Sequence, residues 1–178
     1  MVRHGEAAAG YSEHPDPGLS DRGRQQAEAV ADELAAFGSL EVVSSPMGRA
    51  QETAAPFAAR RSIRVAIEPA VSEIPSPAGL SPAERGGWLQ TVMAGTWAET
   101  SDEVRSWRDQ IAATLVALDI DTVVFSHFVA INAAIAVAIG ADTPRCRHVD
   151  HCSITTFETT GGELALISEG RQGRTKVL

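Results

Sequence analysis

Short apolar segments of strand length recur along this chain, and stretches of helix length lie between them. Strands that alternate with helices cannot return through tight hairpins. Each connection crosses over the sheet, so the strands run parallel and the helices cover its faces. Residues 1–3 form a strand stub, Leu40–Val43 reads as a short buried strand, Ile63–Ile67 alternates as a strand, and Thr122–Phe125 is another. Ser20 reads as the N-cap of a helix whose apolar face carries Ala27, Val30, Ala31 and Leu34, closed at Gly38. Pro46 suits the first turn of a second helix running to about Ala59. Ser101, backed by Asp102 and Glu103, opens a long helix with Val104, Trp107, Ile111, Leu115 and Leu118 on one face. Val129–Ile139 is an apolar helix, and Ile154–Phe157 with Leu164–Ile167 forms a hairpin around Gly161-Gly162. From Pro69 to Ser81 the period is broken by Pro69, Pro75, Pro77 and Gly79. The expected fold is a single α/β domain over residues 1–178, a three-layer α/β/α sandwich with a mostly parallel central sheet.

Composition narrows the function. With 178 residues, 44% of them hydrophobic, the chain is long enough to bury a core without staples. A net charge of -8 argues against a partner that is nucleic acid or anionic membrane, because such binding rests on clustered Lys and Arg. The longest apolar run, Phe128–Ile139, is too short to span a bilayer and contains Asn132. The opening MVRHGE is no charged-then-apolar leader, and two cysteines, Cys146 and Cys152, make no disulfide framework. The expectation is a soluble, cytoplasmic protein.

In parallel sheets, functional groups gather where strands pass into helices. Three such places carry cations. The first strand ends at Arg3-His4-Gly5-Glu6, the second at Ser44-Ser45-Pro46-Met47-Gly48-Arg49, and a later one at Ser126-His127-Phe128. Arg3, His4, Arg49 and His127 thus converge on one sheet edge, where helix N-termini add N–H groups and positive dipole ends. On an acidic protein this is a pocket for a dianion. Arginine offers a fork matched to phosphate oxygens, and neutral imidazole is a nucleophile near pH 7. An alkoxide leaving group also needs an acid, and Glu73 in Val71-Ser72-Glu73-Ile74 is the best-placed carboxylate, with Glu68 and Glu84 as substitutes.

The Arg3-His4-Gly5-Glu6 opening resembles the signature of the histidine phosphatase (phosphoglycerate mutase-like) superfamily. The resemblance continues through Leu19-Ser20-Asp21-Arg22-Gly23 with Gln26-Ala27, then Ser44-Ser45-Pro46 with Arg49-Ala50 and Thr53-Ala54, then Glu73-Ile74, Ser126-His127 and Ser153-Ile154-Thr155. It implies a phosphoglycerate mutase-like fold and metal-independent hydrolysis of a phosphomonoester, with no cofactor. By the same resemblance His4 becomes phosphorylated, Arg3, Arg49 and His127 hold the phosphoryl oxygens, and Glu73 serves as acid and then as base. The partner implied is a phosphorylated small molecule.

Departures from the family pattern refine this. Family mutases follow the motif with Ser or Thr and then Asn, whereas this chain has Ala7, Ala8, Ala9 and Gly10, which disfavours a phosphoglycerate mutase-like transferase. Phe128 stands where relatives usually carry Gly, and the expectation is that it crowds the pocket mouth. With the altered tract Pro75-Ser76-Pro77 after Glu73, it leaves open a weakly active anion-binding regulatory protein. The stretch from Ser76 to Thr100 is expected over the pocket, where Trp88, Leu89, Met93 and Trp97 either line an apolar substrate site or belong to the core or a homodimer contact.

Two motifs invite other chemistry. Asp119-Ile120-Asp121 resembles an aspartyl-phosphate nucleophile, but the strand follows it, so it falls at the wrong sheet edge. Cys146-Arg147-His148-Val149-Asp150-His151-Cys152 packs possible zinc ligands into seven residues, yet one short stretch does not readily wrap a tetrahedron. It is read as a loop leading into a strand.

Overall fold

The computed structural model describes residues 1–10, 14 and 16–173. Its main sheet holds four parallel strands, β1 (Val2–Arg3), β2 (Glu41–Ser44), β3 (Val65–Ile67) and β4 (Thr122–Ser126), in the order β1-β4-β2-β3. The helices are α1 (Asp21–Leu34), α2 (Gly48–Arg61), α3 (Pro82–Ala94), α4 (Asp102–Val116) and α5 (Phe128–Ile139). A separate antiparallel hairpin, β5 (Thr156–Thr160) and β6 (Glu163–Ser168), turns at Gly161 and Gly162, both at positive φ. The expected parallel α/β/α sandwich and hairpin are both present.

Period-two alternation in β4 divides the core. Val123 and Phe125 point to one face, where Val30, Ala31 and Leu34 of α1 meet Ala54 and Phe57 of α2. Val124 points to the other, packed with Ile111 and Leu115 of α4 and with α5. Every residue from Phe128 to Ala136 is buried, which is why α5 reads as apolar all round: it is an inner helix covered by α4 and by Leu164 of β6.

Some expectations shift. Pro46 lies outside α2, which starts at Gly48 after Met47 in an extended conformation and runs to Arg61. Ser76–Thr100 is not an open cover. Ser81 and Glu84 form a reciprocal capping box that starts α3, and Leu89, Met93 and Trp97 are buried in the core beside α4 and α5. Trp88 packs against that core from the surface. Those residues are therefore core and not a substrate wall. No described helix is long and apolar enough to cross a membrane.

The chain enters β1 with its outer edge already occupied. Val2 bridges Ile154 antiparallel, Thr155 N–H donates to Met1 O at 2.8 Å, and Cys152 N–H donates to Arg3 O at 3.0 Å. The Ser153-Ile154-Thr155 motif thus serves as the outer partner of β1.

Candidate active site

Register assembles the site. Arg3 pairs with Ser126 and Ser44 with Phe125, so the residues that follow, His4, His127 and Ser45, emerge side by side at the C-terminal edge of the sheet. His4 N–H donates to Ser126 O at 2.9 Å and Ser45 N–H to Phe125 O at 3.0 Å, extending the ladder one step beyond each strand. The His4 and His127 rings lie 5.2 Å apart between centroids, and His127 Nε2 shares a 2.8 Å hydrogen bond with Ser45 Oγ.

The glycines of the recognised motifs mark a close backbone approach. A Cβ on Gly5 would sit 2.6 Å from Gly23 O, and one on Gly23 would sit 2.0 Å from Glu6 O. Only glycine at both positions lets the loop after β1 pass over the first turn of α1. Thr53 ties that loop to α2: its Oγ1 accepts from Gly5 N–H at 3.0 Å and donates to Arg49 O at 2.6 Å.

His4 is oriented at both nitrogens. A carbonyl only accepts, so the 2.7 Å contact between Nδ1 and Gly5 O places the ring proton on Nδ1. Arg49 Nε–H then donates to His4 Nε2 at 3.2 Å, which places the lone pair there. Burial, followed by the charges of His127, Arg49 and Arg3, holds the His4 pKa well below 6.5, and burial with the two arginines does the same for His127. His4 is therefore a neutral imidazole with its Nε2 lone pair facing a guanidinium.

Arg3 and Arg49, each about 95% buried, supply the fixed charge. Arg3 donates from Nη1 to Val149 O at 2.7 Å and from Nη2 to His151 Nε2 at 3.0 Å, and its guanidinium lies over the Phe128 ring at 5.1 Å. Arg49 Nη1 meets Asp16 at 3.6 Å, whose carboxylate also accepts from Gly48 N–H at the start of α2. Arg3 Nε and His127 Nδ1 are buried with no partner among the described residues. Buried polar atoms of this kind are costly unless a ligand satisfies them. Phe128 is itself only 2% exposed, so it does not crowd the mouth; it is the apolar floor on which Arg3 rests.

Glu73 reaches the site from the loop after β3. The turn Pro69–Val71 precedes it, and Ser126 Oγ donates to Val71 O at 2.7 Å, fastening that loop to the end of β4. The Glu73 carboxylate accepts from Ile74 N–H and Val129 N–H, both at 3.1 Å, at the N-terminus of α5. Burial raises its pKa, while the two N–H groups, Arg49 and Arg3 pull it down; the net shift is upward. Glu68 and Glu84 are spent on backbone caps elsewhere, at Ala70 and Ser81. All the residues expected here from the sequence, Arg3, His4, Arg49, Glu73 and His127, are thus brought together.

The sequence reading did not assign His151, Ser45, Thr53 or Asp16 to the site. Ser45 and Thr53 lay within recognised motifs, which was signal enough. Asp119 and Asp121 are exposed at the opposite end of β4, and no group of three potential metal ligands occurs among the described residues.

This is the architecture of a parallel α/β protein with two buried arginines and two buried histidines gathered at the carboxyl ends of its strands. Residues 1–170 match the model of the histidine phosphatase superfamily (branch 1), and the chain belongs to that superfamily. The uncharacterized protein Rv0525 of Mycobacterium tuberculosis is 46% identical over 77 residues, a match spanning 41% of this chain but only 38% of the relative. The probable phosphoglycerate mutase GpmB of Erwinia tasmaniensis is 26% identical over 179 aligned positions, covering 89% of this chain and 83% of the relative. Among solved structures, phosphoserine phosphatase of Entamoeba histolytica in complex with 3-phosphoglyceric acid superimposes with a TM-score of 0.72 at 23% identity, over 96% of this chain and 95% of that one.

Proposed function

We propose that the protein is a metal-independent phosphomonoester hydrolase that works through a phosphohistidine on His4. The observation that carries this reading is the orientation of His4, whose proton is fixed on Nδ1 by Gly5 O and whose Nε2 lone pair stands among Arg3, Arg49 and His127. In the first step Nε2 attacks phosphorus, the bond from phosphorus to the ester oxygen breaks, and protonated Glu73 gives its proton to the departing oxygen. Arg49 Nε–H passes from the ring nitrogen to a phosphoryl oxygen. The imidazolium formed keeps its Nδ1–H on Gly5 O. In the second step water attacks phosphorus while the Glu73 carboxylate takes its proton, the P–N bond breaks, and the electron pair returns to Nε2 with release of inorganic phosphate. Arg3, Arg49 and His127 stabilise charge on the equatorial oxygens, which is the main demand of phosphoryl transfer.

The family contains both phosphatases and mutases, and Ala7–Gly10 favours water as acceptor because that segment offers no polar side chain to a second substrate hydroxyl. The test is a panel of sugar phosphates, phosphoglycerates, nucleotides and phosphopeptides, run with EDTA on wild type and His4→Ala. Wild type should release phosphate and, on rapid quench, carry a phosphoryl label that is labile in acid and stable in base. An active His4→Ala protein, or activity abolished by EDTA and restored by a divalent ion, overturns the mechanism. Transfer to a second hydroxyl in place of water marks a mutase.

A further inference from the structure

The loop between α5 and β5 sends a third histidine to the site. Cys152 N–H donates to Arg3 O, so the backbone at 152 runs alongside the nucleophile strand and carries its neighbour His151 with it. The turn is fixed from within: His151 N–H donates to Asp150 Oδ1 at 2.9 Å, Ser153 N–H and Oγ both reach Asp150 O, and Cys152 adopts a positive φ of 51°. The consequence is the 3.0 Å contact between Arg3 Nη2 and His151 Nε2, with the His151 ring 5.9 Å from that of His4.

Guanidinium only donates, so His151 must offer Nε2 as a lone pair and carry its proton on Nδ1. Together with Val149 O on Nη1, His151 grips Arg3 by both terminal nitrogens, while Phe128 supports the plane from below. What this grip leaves open is the buried Nε–H, which has no partner among the described residues, and in a planar guanidinium one N–H of Nη2 lies parallel to it along the same edge. That edge is the fork that engages two oxygens of one phosphoryl group.

We infer that His151 is a positioning residue for the phosphatase reaction: its Nε2 locks the Arg3 guanidinium in the rotation that presents the Nε/Nη2 edge to the phosphoryl group. The groups around it are consistent with a lasting acceptor. Arg3, Asp150, Arg22 and His4 surround the ring, and burial with the cationic charge of Arg3 brings its pKa down to about 4, so the lone pair persists through the neutral range. The inference rests on the proposed phosphohistidine chemistry for its kinetic readout, but only on phosphate binding for its geometric one.

The experiment is a double-mutant cycle. His151→Leu keeps the volume and removes the acceptor; His151→Gln keeps an acceptor at similar reach through Oε1; Arg3→Lys removes the fork. Each is read by kcat/KM on nitrophenyl phosphate and by calorimetric Kd for orthovanadate and inorganic phosphate, with thermal melting to confirm the fold. Loss of one charge-assisted hydrogen bond predicts that His151→Leu lowers kcat/KM about tenfold to hundredfold and weakens orthovanadate binding in parallel. His151→Gln should recover to within about threefold of wild type, and His151→Leu should have no further effect in the Arg3→Lys background. Full additivity with Arg3→Lys, equal loss in the Leu and Gln variants, or wild-type behaviour of His151→Leu overturns the inference. If wild type binds orthovanadate but turns over no ester, the hydrolase reading fails while the cycle is still decided by binding. If it binds neither oxyanion, both fail.

Discussion

Thr53 is the joint between the His4 loop and Arg49, and removing one oxygen atom there should weaken both. Its hydroxyl is fully buried, accepting from Gly5 N–H and donating to Arg49 O. Thr53→Val keeps the branched shape and volume. Arg49 O loses a donor but keeps its place in the α2 ladder, so little is lost there. Gly5 N–H loses its acceptor inside the protein, and an orphaned buried amide costs about 1–3 kcal/mol. For a chain of this size each kcal/mol corresponds to about 2–4 °C of melting temperature, so a loss of about 2 kcal/mol lowers Tm by roughly 4–8 °C. Activity should suffer separately, because Gly5 O is what holds His4 Nδ1–H. Once the Gly5 peptide can rotate, the Nε2 lone pair no longer has a fixed direction, and kcat should fall at least about tenfold. Thr53→Ser is the control: it keeps the hydroxyl and deletes a methyl, costing about 1 kcal/mol from the lost apolar contact, with kcat preserved. The assay is thermal and urea unfolding with steady-state kinetics on all three proteins. A Thr53→Val protein as stable and active as wild type, or a Ser variant as slow as the Val variant, refutes the argument.

Glu73→Gln removes the titrating acid while keeping an oxygen for Val129 N–H, so turnover of alkyl phosphates should drop about 10²–10⁴-fold, with a much smaller loss for a nitrophenyl ester. The wild-type pH–rate profile should have an acid limb well below 6.5, from His4, and an alkaline limb above the ordinary carboxylate range, from Glu73; the Gln variant should lack the alkaline limb, and its persistence would assign the acid elsewhere. Stability should fall as pH drops from 8 toward 5. Burial holds His4 and His127 well below 6.5, so the unfolded chain takes up protons that the fold refuses. Urea midpoints that stay flat across that range would contradict the burial of these groups.

How much of this is legible in the sequence depends on whether a feature is set by local pattern or by chain crossing. The convergence of Arg3, His4, Arg49 and His127 is legible because parallel strands put all their carboxyl ends at one edge, and apolar runs locate those ends. Two expectations fail where local sequence does not reveal topology. Phe128 follows His127, and only the folded arrangement shows that its ring is buried under Arg3. Helix α3 is hidden by Gly86 and Gly87 and by a weak amphipathic pattern, although its Ser81–Glu84 capping box was written in the chain. His151 was grouped with cysteines because they adjoin it in sequence. Its real neighbour is 148 residues away, and the bridge from Cys152 to Arg3 that brings them together has no local signal.

The same charges serve opposite ends of the proposed reaction. Before a substrate arrives, Arg3 and Arg49 depress the pKa of His4 and keep it an unprotonated nucleophile, and they also pull Glu73 downward against the effect of its burial. A phosphate dianion between them cancels much of that positive potential. Its arrival therefore releases both restraints together: the imidazolium that forms on phosphorylation becomes easier to bear, and Glu73 rises further into the range where it holds a proton. Burial supplies the part that substrate cannot cancel, since it acts on Glu73 and His4 in every state. A site built only from exposed arginines would bind phosphate equally well, but it would prepare neither the base nor the acid. In the proposed reaction, the overlap of a depressed histidine and an elevated carboxyl is what lets an anion pocket break the ester bond.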